Sequence, residues 1–335
     1  MKKADFFESL PDKNVMCTLC PRKCRIPESE YGFCKVRYNN NGVLYSLSYG
    51  SAAGTAIDPI EKKPLYHFLP GTKIFSLGTY GCNMDCAFCQ NDHLSHIRSN
   101  QSMPRAITPE QLAQAVRESG CPSAAFTYNE PVVFSEFIYD TVKNNSDIRW
   151  VVVSNGWVEP AARKKLYSSI CAANIDLKSF NPEFYRTYCG ADLTGVLDTL
   201  IYLKQETEVW LEITVLIIEG LNDSAEEMHD LCRWTVKELG RDVPLHINAF
   251  HPAFRMTDHA RTRPETLQRL KKTALSEGVK YVYIGNIFPE AGSDTVCPRC
   301  GSLLIQRRSR GKKECGVSED AKCFFCGEYI AGVWV

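Results

Sequence analysis

The chain has 335 residues, of which 44% are hydrophobic, and its 39 basic side chains balance 39 acidic ones. This length allows one large domain or two to three smaller ones with a substantial core, and the zero net charge argues against nucleic acid or an acidic membrane surface as a partner. Residues 1–10 lack a secretory pattern and no run of 18 apolar residues occurs, so we expect a soluble, cytoplasmic protein without a membrane partner.

Sixteen cysteines in a cytoplasmic chain of this size indicate metal sites rather than disulfides. The first group lies in a Cys-rich N-terminal region, residues 1–71, and consists of Cys17, Cys20, Cys24 and Cys34. A C-x2-C pair followed by two further cysteines forms a plausible four-thiolate site. Zinc is the first expectation and an additional iron–sulfur cluster is the alternative, because spacing alone does not select the metal.

A charged segment, residues 58–67, leads to Pro70 and Gly71 at the expected domain boundary. It follows a predicted strand over residues 43–49 and is expected to be extended. Its charged side chains are equally consistent with a solvated connector and with a functional motif.

Strands alternate with helices from residue 72 to residue 290. Strand patterns cover residues 74–77, 124–128, 150–154, 173–177, 209–218, 245–250 and 281–284, and helical patterns cover residues 109–119, 132–142, 160–168, 195–205, 224–239 and 264–278. Six or seven successive βα units predict an α/β fold whose parallel sheet forms a partial (β/α)6-type TIM barrel. The active site of such a barrel lies at the carboxyl ends of its strands.

A cysteine triad, Cys82, Cys86 and Cys89, follows the first strand of this barrel with C-x3-C-x2-C spacing. A closed zinc or cubane site takes four ligands, but no fourth Cys or His stands at a matching spacing. Three thiolates on a four-iron cube would leave one iron open, as in a catalytic metal site. The alternative is a zinc site that a distant part of the chain completes.

Polar side chains stand at the ends of the other predicted strands, in a scaffold that is otherwise apolar. They are Asn129, Glu130, Asn155, Asp176, Lys178, Glu212, Thr214, Asn248 and His251. Each alone is weak evidence, since an acid and a lysine at a strand end are often only an ion pair. Because the strand ends of one barrel converge, we expect these side chains to share a site.

The C-terminal segment, residues 291–335, carries two Cys-x-x-Cys-Gly knuckles. Their cysteines predict a zinc ribbon with a closed tetrahedral site, formed by Cys297, Cys300, Cys323 and Cys326. We expect the basic residues between the knuckles to form a solvated hairpin rather than a nucleic-acid surface; they are Arg307, Arg308, Arg310, Lys312 and Lys313. The remaining cysteines have no partner spacing and are expected to be ordinary thiols: Cys121, Cys171, Cys189, Cys232 and Cys315.

These features together resemble a known enzyme superfamily. The cysteine triad, with the aromatic Phe88 before its last cysteine, is the signature of radical S-adenosylmethionine (SAM) enzymes. Over residues 72–288 the chain resembles the pyruvate formate-lyase-activating enzyme group of that superfamily. Over its whole length it resembles the AmmeMemoRadiSam system radical SAM proteins, through motifs at residues 17–24, 58–67 and 82–89 and a Cys-Pro-x-Cys-Gly tail that ends at residues 331–334.

The resemblance implies that the triad holds a [4Fe-4S] cluster, with the amine and carboxylate of SAM on the fourth iron. Phe88 would pack beside the adenine. The other expected SAM contacts are Asn129, Glu130, Asn155, Asp176, Lys178 and His251. Activating enzymes use a Gly-Gly-Glu turn to meet the SAM amino group, whereas Tyr128, Asn129 and Glu130 keep the acid here and replace both glycines.

The implied activity is reductive cleavage of SAM to a 5′-deoxyadenosyl radical that abstracts hydrogen from an unidentified substrate, a protein or a small molecule. A flavodoxin or ferredoxin-type donor would supply the electron. One alternative is a glycyl-radical-enzyme activase, whose partner would be a large enzyme with a glycine loop. Another is a non-catalytic metal-binding scaffold that docks a partner through its zinc ribbon.

Overall fold

The computed structural model describes residues 1–97, 106–287, 292–307 and 316–334. Within these ranges the strands are β1 (Lys2–Lys3), β2 (Phe7–Ser9), β3 (Val15–Cys17), β4 (Arg25–Ile26), β5 (Arg37–Asn40), β6 (Val43–Ser46), β7 (Gly54–Pro59), β8 (Lys73–Gly78), β9 (Ser123–Phe126), β10 (Arg149–Ser154), β11 (Ala172–Asp176), β12 (Trp210–Ile217), β13 (Leu245–Ala249), β14 (Val282–Gly285), β15 (Thr295–Val296) and β16 (Leu303–Ile305).

The helices are α1 (Asp92–Ser95), α2 (Pro109–Ser119), α3 (Ser135–Val142), α4 (Pro160–Tyr167), α5 (Pro182–Phe184), α6 (Thr194–Glu206), α7 (Ala225–Trp234) and α8 (Pro264–Ser276). Two short 3-10 turns and two π-helical turns accompany them, at Ile60–Lys62, Pro131–Phe134, Tyr185–Cys189 and Thr235–Leu239. None of the described helices is long and apolar enough to cross a membrane.

An eight-stranded sheet, with strand order β14-β13-β12-β11-β10-β9-β8-β7, forms the centre of the molecule. Strands β8 to β14 run parallel, and β7 pairs antiparallel with β8 at one edge. The predicted α/β fold with a parallel barrel-like sheet is therefore confirmed, and its seven parallel strands correspond to the seven predicted strand patterns. Because β7 comes from the N-terminal region, the sheet extends beyond the expected boundary at residue 72.

Local sequence signals explain several of these elements. Helix α2 spans the predicted residues, and its N-cap is a capping box. The Thr108 hydroxyl accepts from the Gln111 backbone N–H at 3.2 Å, and the Gln111 side chain accepts from the Thr108 N–H at 2.9 Å. This reciprocal pair satisfies two of the free N–H groups at the helix start.

Two three-stranded sheets, β1-β6-β5 and β2-β3-β4, form the N-terminal region beside the barrel. A buried ion pair links the β1-β6-β5 sheet to helix α3 of the barrel. The Arg37 guanidinium on β5 donates to both carboxylate oxygens of Glu136 on α3, at 2.6 and 2.7 Å, and both side chains are 1% exposed. The N-terminal region and barrel also share one hydrophobic core.

A strap of residues 58–69 fills the inside of the partial barrel and is not a solvated connector. The backbone N–H groups of Tyr66 and His67 donate to the buried Glu212 carboxylate at 3.0 and 2.8 Å. The ring nitrogens of His67 lie 2.7 Å from the Ala331 carbonyl and 2.5 Å from the Tyr283 hydroxyl. The strap thus joins the barrel interior to the C-terminal tail.

The C-terminal module contains the β15–β16 hairpin and packs against the barrel. Its apolar residues share a core with Tyr281 and Tyr283 of the last barrel strand region. Arg307, expected in a solvated hairpin, is instead 5% exposed and donates to the Tyr66 carbonyl at 2.7 Å. The prediction was wrong for this residue; the others between the knuckles, Arg308, Arg310, Lys312, Lys313 and Cys315, lie outside the described residues.

Candidate active site

A cavity of about 330 Å³ lies at the carboxyl ends of the parallel strands. Its walls carry most of the residues that the sequence predicted to converge: Cys82, Cys86, Phe88, Cys89, Asn129, Glu130, Asn155, Asp176, Lys178, Thr214 and Asn248. They come from the loop after β8 and from the ends of five further strands. These residues therefore converge as predicted, because the residues that follow parallel strands all lie at one face of a barrel.

The loop that carries the cysteine triad is held by main-chain contacts from distant segments. The Asp85 and Ala87 N–H groups donate to the carbonyls of Cys189 and Tyr188, each at 2.8 Å. The Ala87 carbonyl accepts from the Arg255 N–H at 3.0 Å. These contacts fix the loop while all three triad thiols line the cavity.

The thiols of the triad differ in their surroundings. Burial raises the pKa of Cys82 and of Cys89. A hydrogen bond from Cys189 lowers the pKa of Cys86, against the effect of burial, and the nearby Lys178 ammonium lowers it further. Cys189 was expected to be an ordinary thiol, and the contact with Cys86 had no spacing signal because the two residues meet only in the fold. Thiolate is the form that binds metal, so this cationic, donor-rich side of the cavity favours ligation.

Glu130 is a fixed acid on the cavity wall, 3% exposed. Its carboxylate accepts from the Ser154 hydroxyl at 2.6 Å and from the backbone N–H groups of Asn155 and Val132 at 2.8 and 3.0 Å. Burial nevertheless raises the pKa of Glu130 to about 7, with these hydrogen bonds opposing the rise. A cation in the cavity would stabilise the ionised form.

Asp176 and Lys178 follow β11 as an ion pair, with 2.7 Å between a carboxylate oxygen and Nζ. Burial disfavours the charge on Lys178, but the Asp176 carboxylate and the Cys86 thiol outweigh it and raise its pKa. Lys178 is therefore charged at the cavity wall, where the pair offers both an acceptor and a donor.

Two asparagines support the loop from the cavity side. The Asn129 amide donates to the Gly81 carbonyl at 2.9 Å, and its oxygen accepts from the Thr79 N–H at 2.8 Å. The Asn155 amide donates to the Asn83 side chain at 2.9 Å and lies 3.8 Å from the Cys82 sulfur. Both side chains are buried, so their first role is to hold the loop in place.

The aromatic and histidine predictions have different outcomes in the structure. Phe88 is 3% exposed, lines the cavity, and packs against Phe184 with 5.8 Å between ring centroids. His251 is outside the cavity wall, and its Nε2 lies 2.9 Å from the Asn286 carbonyl. The structure places Asn248 and Asn286 at the cavity in this sector instead.

Sequence reasoning missed a cluster formed by Asp58, Lys63 and Tyr128. The Tyr128 hydroxyl and the Lys63 ammonium both donate to Asp58 Oδ2 at 3.1 Å. Lys63 lies 4.5 Å from the Tyr128 ring centroid. Tyr128 has φ +70°, a left-handed conformation that favours glycine. Its side chain instead anchors the strap to the cavity.

The C-terminal quartet, Cys297, Cys300, Cys323 and Cys326, could hold a metal ion. Its sulfurs lie 3.6 Å apart in the pair Cys297–Cys326 and 3.8 Å apart in the pair Cys300–Cys323. A tetrahedral zinc with bonds of about 2.3 Å requires roughly 3.8 Å between sulfurs. Hydrogen bonds from Ser302 lower the pKa of Cys300 to about 6, which favours the thiolate.

Two sequence comparisons bear on the family of the chain. A family model for the radical SAM superfamily matches residues 76–234. The chain is 41% identical over 333 residues to Uncharacterized protein MJ0808 of Methanocaldococcus jannaschii, which covers 98% of this chain and 99% of that relative.

Solved structures resemble the fold at low sequence identity. A radical SAM methyltransferase from Sphaerobacter thermophilus is 17% identical, with a TM-score of 0.50 over 74% of this chain and 72% of that chain. A domain of pyruvate-formate lyase-activating enzyme from Bacteroides vulgatus ATCC 8482 is 18% identical, with a TM-score of 0.43 over 49% of this chain and 99% of that domain.

The region that matches the family model carries the cysteine motif of the superfamily. Radical SAM enzymes combine a [4Fe-4S] cluster with SAM, and the matched region contains the cysteine triad. The chain belongs to the radical SAM superfamily and is a radical SAM enzyme.

Proposed function

We propose that Cys82, Cys86 and Cys89 hold the [4Fe-4S] cluster and that SAM binds beside it in the 330 Å³ cavity. The observation that carries the proposal is the convergence of three thiols with an acid, an ion pair and an apolar aromatic on one cavity. Thiolates are the ligands that iron–sulfur clusters take, and three of them leave one iron for a further ligand. When bound, the cluster and SAM supply reductive cleavage of SAM and a 5′-deoxyadenosyl radical that removes hydrogen from the substrate.

The chain's own residues bind and orient the cofactor. The Glu130 carboxylate, already fixed by three donors, accepts the SAM ammonium as a charge-assisted contact. The Asp176 and Lys178 pair supplies an acceptor and a donor to the polar part of SAM. Phe88 gives an apolar surface for the adenine.

The substrate is proposed to enter from an adjoining cavity of about 500 Å³. The two cavities share six lining residues: Lys62, Lys63, Pro64, Tyr128, Asn248 and Asn286. This common wall, to which the strap contributes Lys62 and Lys63, would place a substrate next to SAM. The substrate is a protein or a small molecule, and the electron donor is of the flavodoxin or ferredoxin type.

The test is anaerobic reconstitution of the full chain with iron, sulfide, dithionite and SAM, with 5′-deoxyadenosine as the product measured. The triple variant C82A/C86A/C89A should form none, because the open iron is lost. Cys171→Ala, which removes an exposed thiol away from the cavity, is the matched control and should keep the activity. Product formation by the triple variant would overturn the proposal. A glycyl-radical EPR doublet on an added partner enzyme would identify the activase alternative.

A further inference from the structure

The four N-terminal cysteines meet in space although they come from separate turns. Cys17 ends β3, Cys24 precedes β4, and the Cys17 N–H donates to the Cys24 carbonyl at 2.9 Å. Cys20 lies between them and Cys34 precedes β5. All four line one small internal cavity, whose remaining walls are mainly apolar.

The spacing of these thiols differs from that of the zinc-type quartet. The C-terminal sulfurs lie within 4.8 Å of one another, as one tetrahedral ion requires. No three of the N-terminal thiols meet that limit, and all four belong to the described part of the chain. The triad Cys82, Cys86 and Cys89 shares this wider spacing, and there the family implies a four-iron cluster. Thiols that bind different irons of one cluster lie farther apart than thiols on a single ion.

Arg37 provides an independent sign of a ligand in the N-terminal cavity. Its side chain is 1% exposed and lines the cavity. The two terminal nitrogens are satisfied by the Glu136 carboxylate and the Val133 carbonyl, but the Nε–H has no hydrogen-bond partner. A buried unpaired donor is destabilising, so such groups normally have a partner. Thiolate and sulfide sulfurs accept hydrogen bonds of this kind.

We propose that Cys17, Cys20, Cys24 and Cys34 bind an iron–sulfur cluster, with the Arg37 Nε–H donating to one of its sulfurs. This site is separate from the active-site cavity and adjacent to it. Arg22, between the second and third of these cysteines, donates to the Asn83 carbonyl at 2.9 Å, within the triad loop. A side chain at Gly81 would place its Cβ 2.6 Å from the Cys34 carbonyl, so the triad loop lies directly against this site.

The test uses the full chain with the active-site cluster removed. C82A/C86A/C89A, purified anaerobically, should retain about two to four irons and a similar amount of acid-labile sulfide per chain. It should also contain about one zinc, for the C-terminal quartet. An iron-free protein with about two zincs would overturn the proposal in favour of a second zinc site. Because this variant lacks the triad, the result does not depend on whether SAM is cleaved.

A second variant assigns the retained iron to the N-terminal thiols. Adding Cys24→Ser and Cys34→Ser to the triad variant changes two partly buried thiols and should remove the iron while circular dichroism stays unchanged. Adding Cys121→Ser, another partly buried thiol, is the matched control and should keep it. Full iron content after the Cys24 and Cys34 changes would overturn the ligand assignment. If that variant does not fold, the iron and zinc contents of C82A/C86A/C89A alone decide between an iron–sulfur cluster and a second zinc site.

Discussion

The triad and the C-terminal quartet both consist of cysteines, but their thiols are arranged differently. The triad thiols line a cavity of about 330 Å³ together with polar strand ends. The quartet sulfurs face one another at 3.6 and 3.8 Å, which leaves no position for a further ligand on a single tetrahedral ion. We therefore propose an open site for the three thiols at the barrel mouth and a closed site for the four thiols of the two knuckles.

The two sites also differ in what holds them. Each knuckle of the quartet is a local turn, as the Gly301 N–H donating to the Cys297 carbonyl and the Gly327 N–H donating to the Cys323 carbonyl illustrate, both at 2.9 Å. The triad loop instead depends on Cys189 and Asn129, far along the chain. We therefore expect the C-terminal module to unfold when its metal is lost. The triad loop should instead lose its conformation when its contacts with distant residues are removed.

Cys323→Ala should have the largest effect on stability, because it removes a ligand from the proposed zinc site. Structural zinc contributes about 10–16 kcal/mol of apparent binding free energy in small modules. We expect loss of zinc, rapid proteolysis of the tail, and a lower melting temperature of the barrel, since Ala331 binds the strap residue His67. Zinc analysis, limited proteolysis and calorimetry measure these effects.

The triad should keep its iron in this variant. Cys171→Ala is the control, because it removes an exposed thiol without touching the quartet. Native zinc content together with an undigested tail would contradict the assignment of Cys323 as a ligand.

Acidification should weaken the junction between the tail and the barrel. Burial lowers the pKa of His67 from its ordinary value of 6.5 to about 4. Between these values the unfolded chain binds a proton that the folded chain does not, so stability is full above about pH 6.5 and is lost as the pH falls towards 4. The loss attributable to this residue is about 3 kcal/mol.

Urea unfolding across this pH range measures the effect. His67→Gln should flatten the dependence, because the amide does not titrate. His259→Gln is the matched control, as this histidine is near the surface and pairs only with the exposed Asp258 in the described structure. An equally steep pH dependence in the His67 variant would show that other groups cause the acid sensitivity.

Periodicity and cap residues predicted most of the fold. Helix α2 starts and ends at the predicted residues because its signals, Thr108 and Gln111, are local. The strand ends placed Glu130, Asp176 and Lys178 correctly on one cavity, because the topology of a parallel barrel brings them together.

The errors concern contacts between distant segments. Arg307 was expected to be solvated, but it is buried against Tyr66, which is far away in the sequence. Cys189 has no spacing signal relative to Cys86, and His251 lies outside the cavity wall, with its Nε2 2.9 Å from the Asn286 carbonyl. Such pairs are formed by the packing of one segment on another, and no local pattern encodes them.

Glu130→Gln tests whether the charge of the Glu130 side chain, and not only its shape, contributes to SAM binding. The glutamine keeps the size of the side chain but removes the charge that would meet the SAM ammonium. A hydrogen bond to a charged group contributes about 1.5–3 kcal/mol, so SAM affinity should fall roughly tenfold to a hundredfold. Calorimetric titration measures this, and the iron content should not change.

The pH dependence of binding gives a second measure of the same contact. Since the pKa of Glu130 is about 7, the wild-type affinity should fall towards that of the variant as the pH drops below 7. Glu110→Gln, on the exposed start of α2, is the matched control. Unaltered SAM affinity in the Glu130 variant would remove this residue from the binding site.

Tyr128→Phe should have the smallest effect, and it tests whether the strap is part of the open site. The change removes the hydroxyl that donates to Asp58 at 3.1 Å and keeps the ring 4.5 Å from the Lys63 ammonium. One partly exposed hydrogen bond contributes about 1 kcal/mol, so we expect a slight loss of stability in urea.

A second variant, Tyr128→Gly, suits φ +70° but removes the side chain that contacts the strap. If the strap shapes the substrate wall, the glycine variant should bind SAM normally and yet show faster 5′-deoxyadenosine formation uncoupled from substrate, whereas the phenylalanine variant should not. Identical kinetics in both variants would show that the strap only fills the barrel.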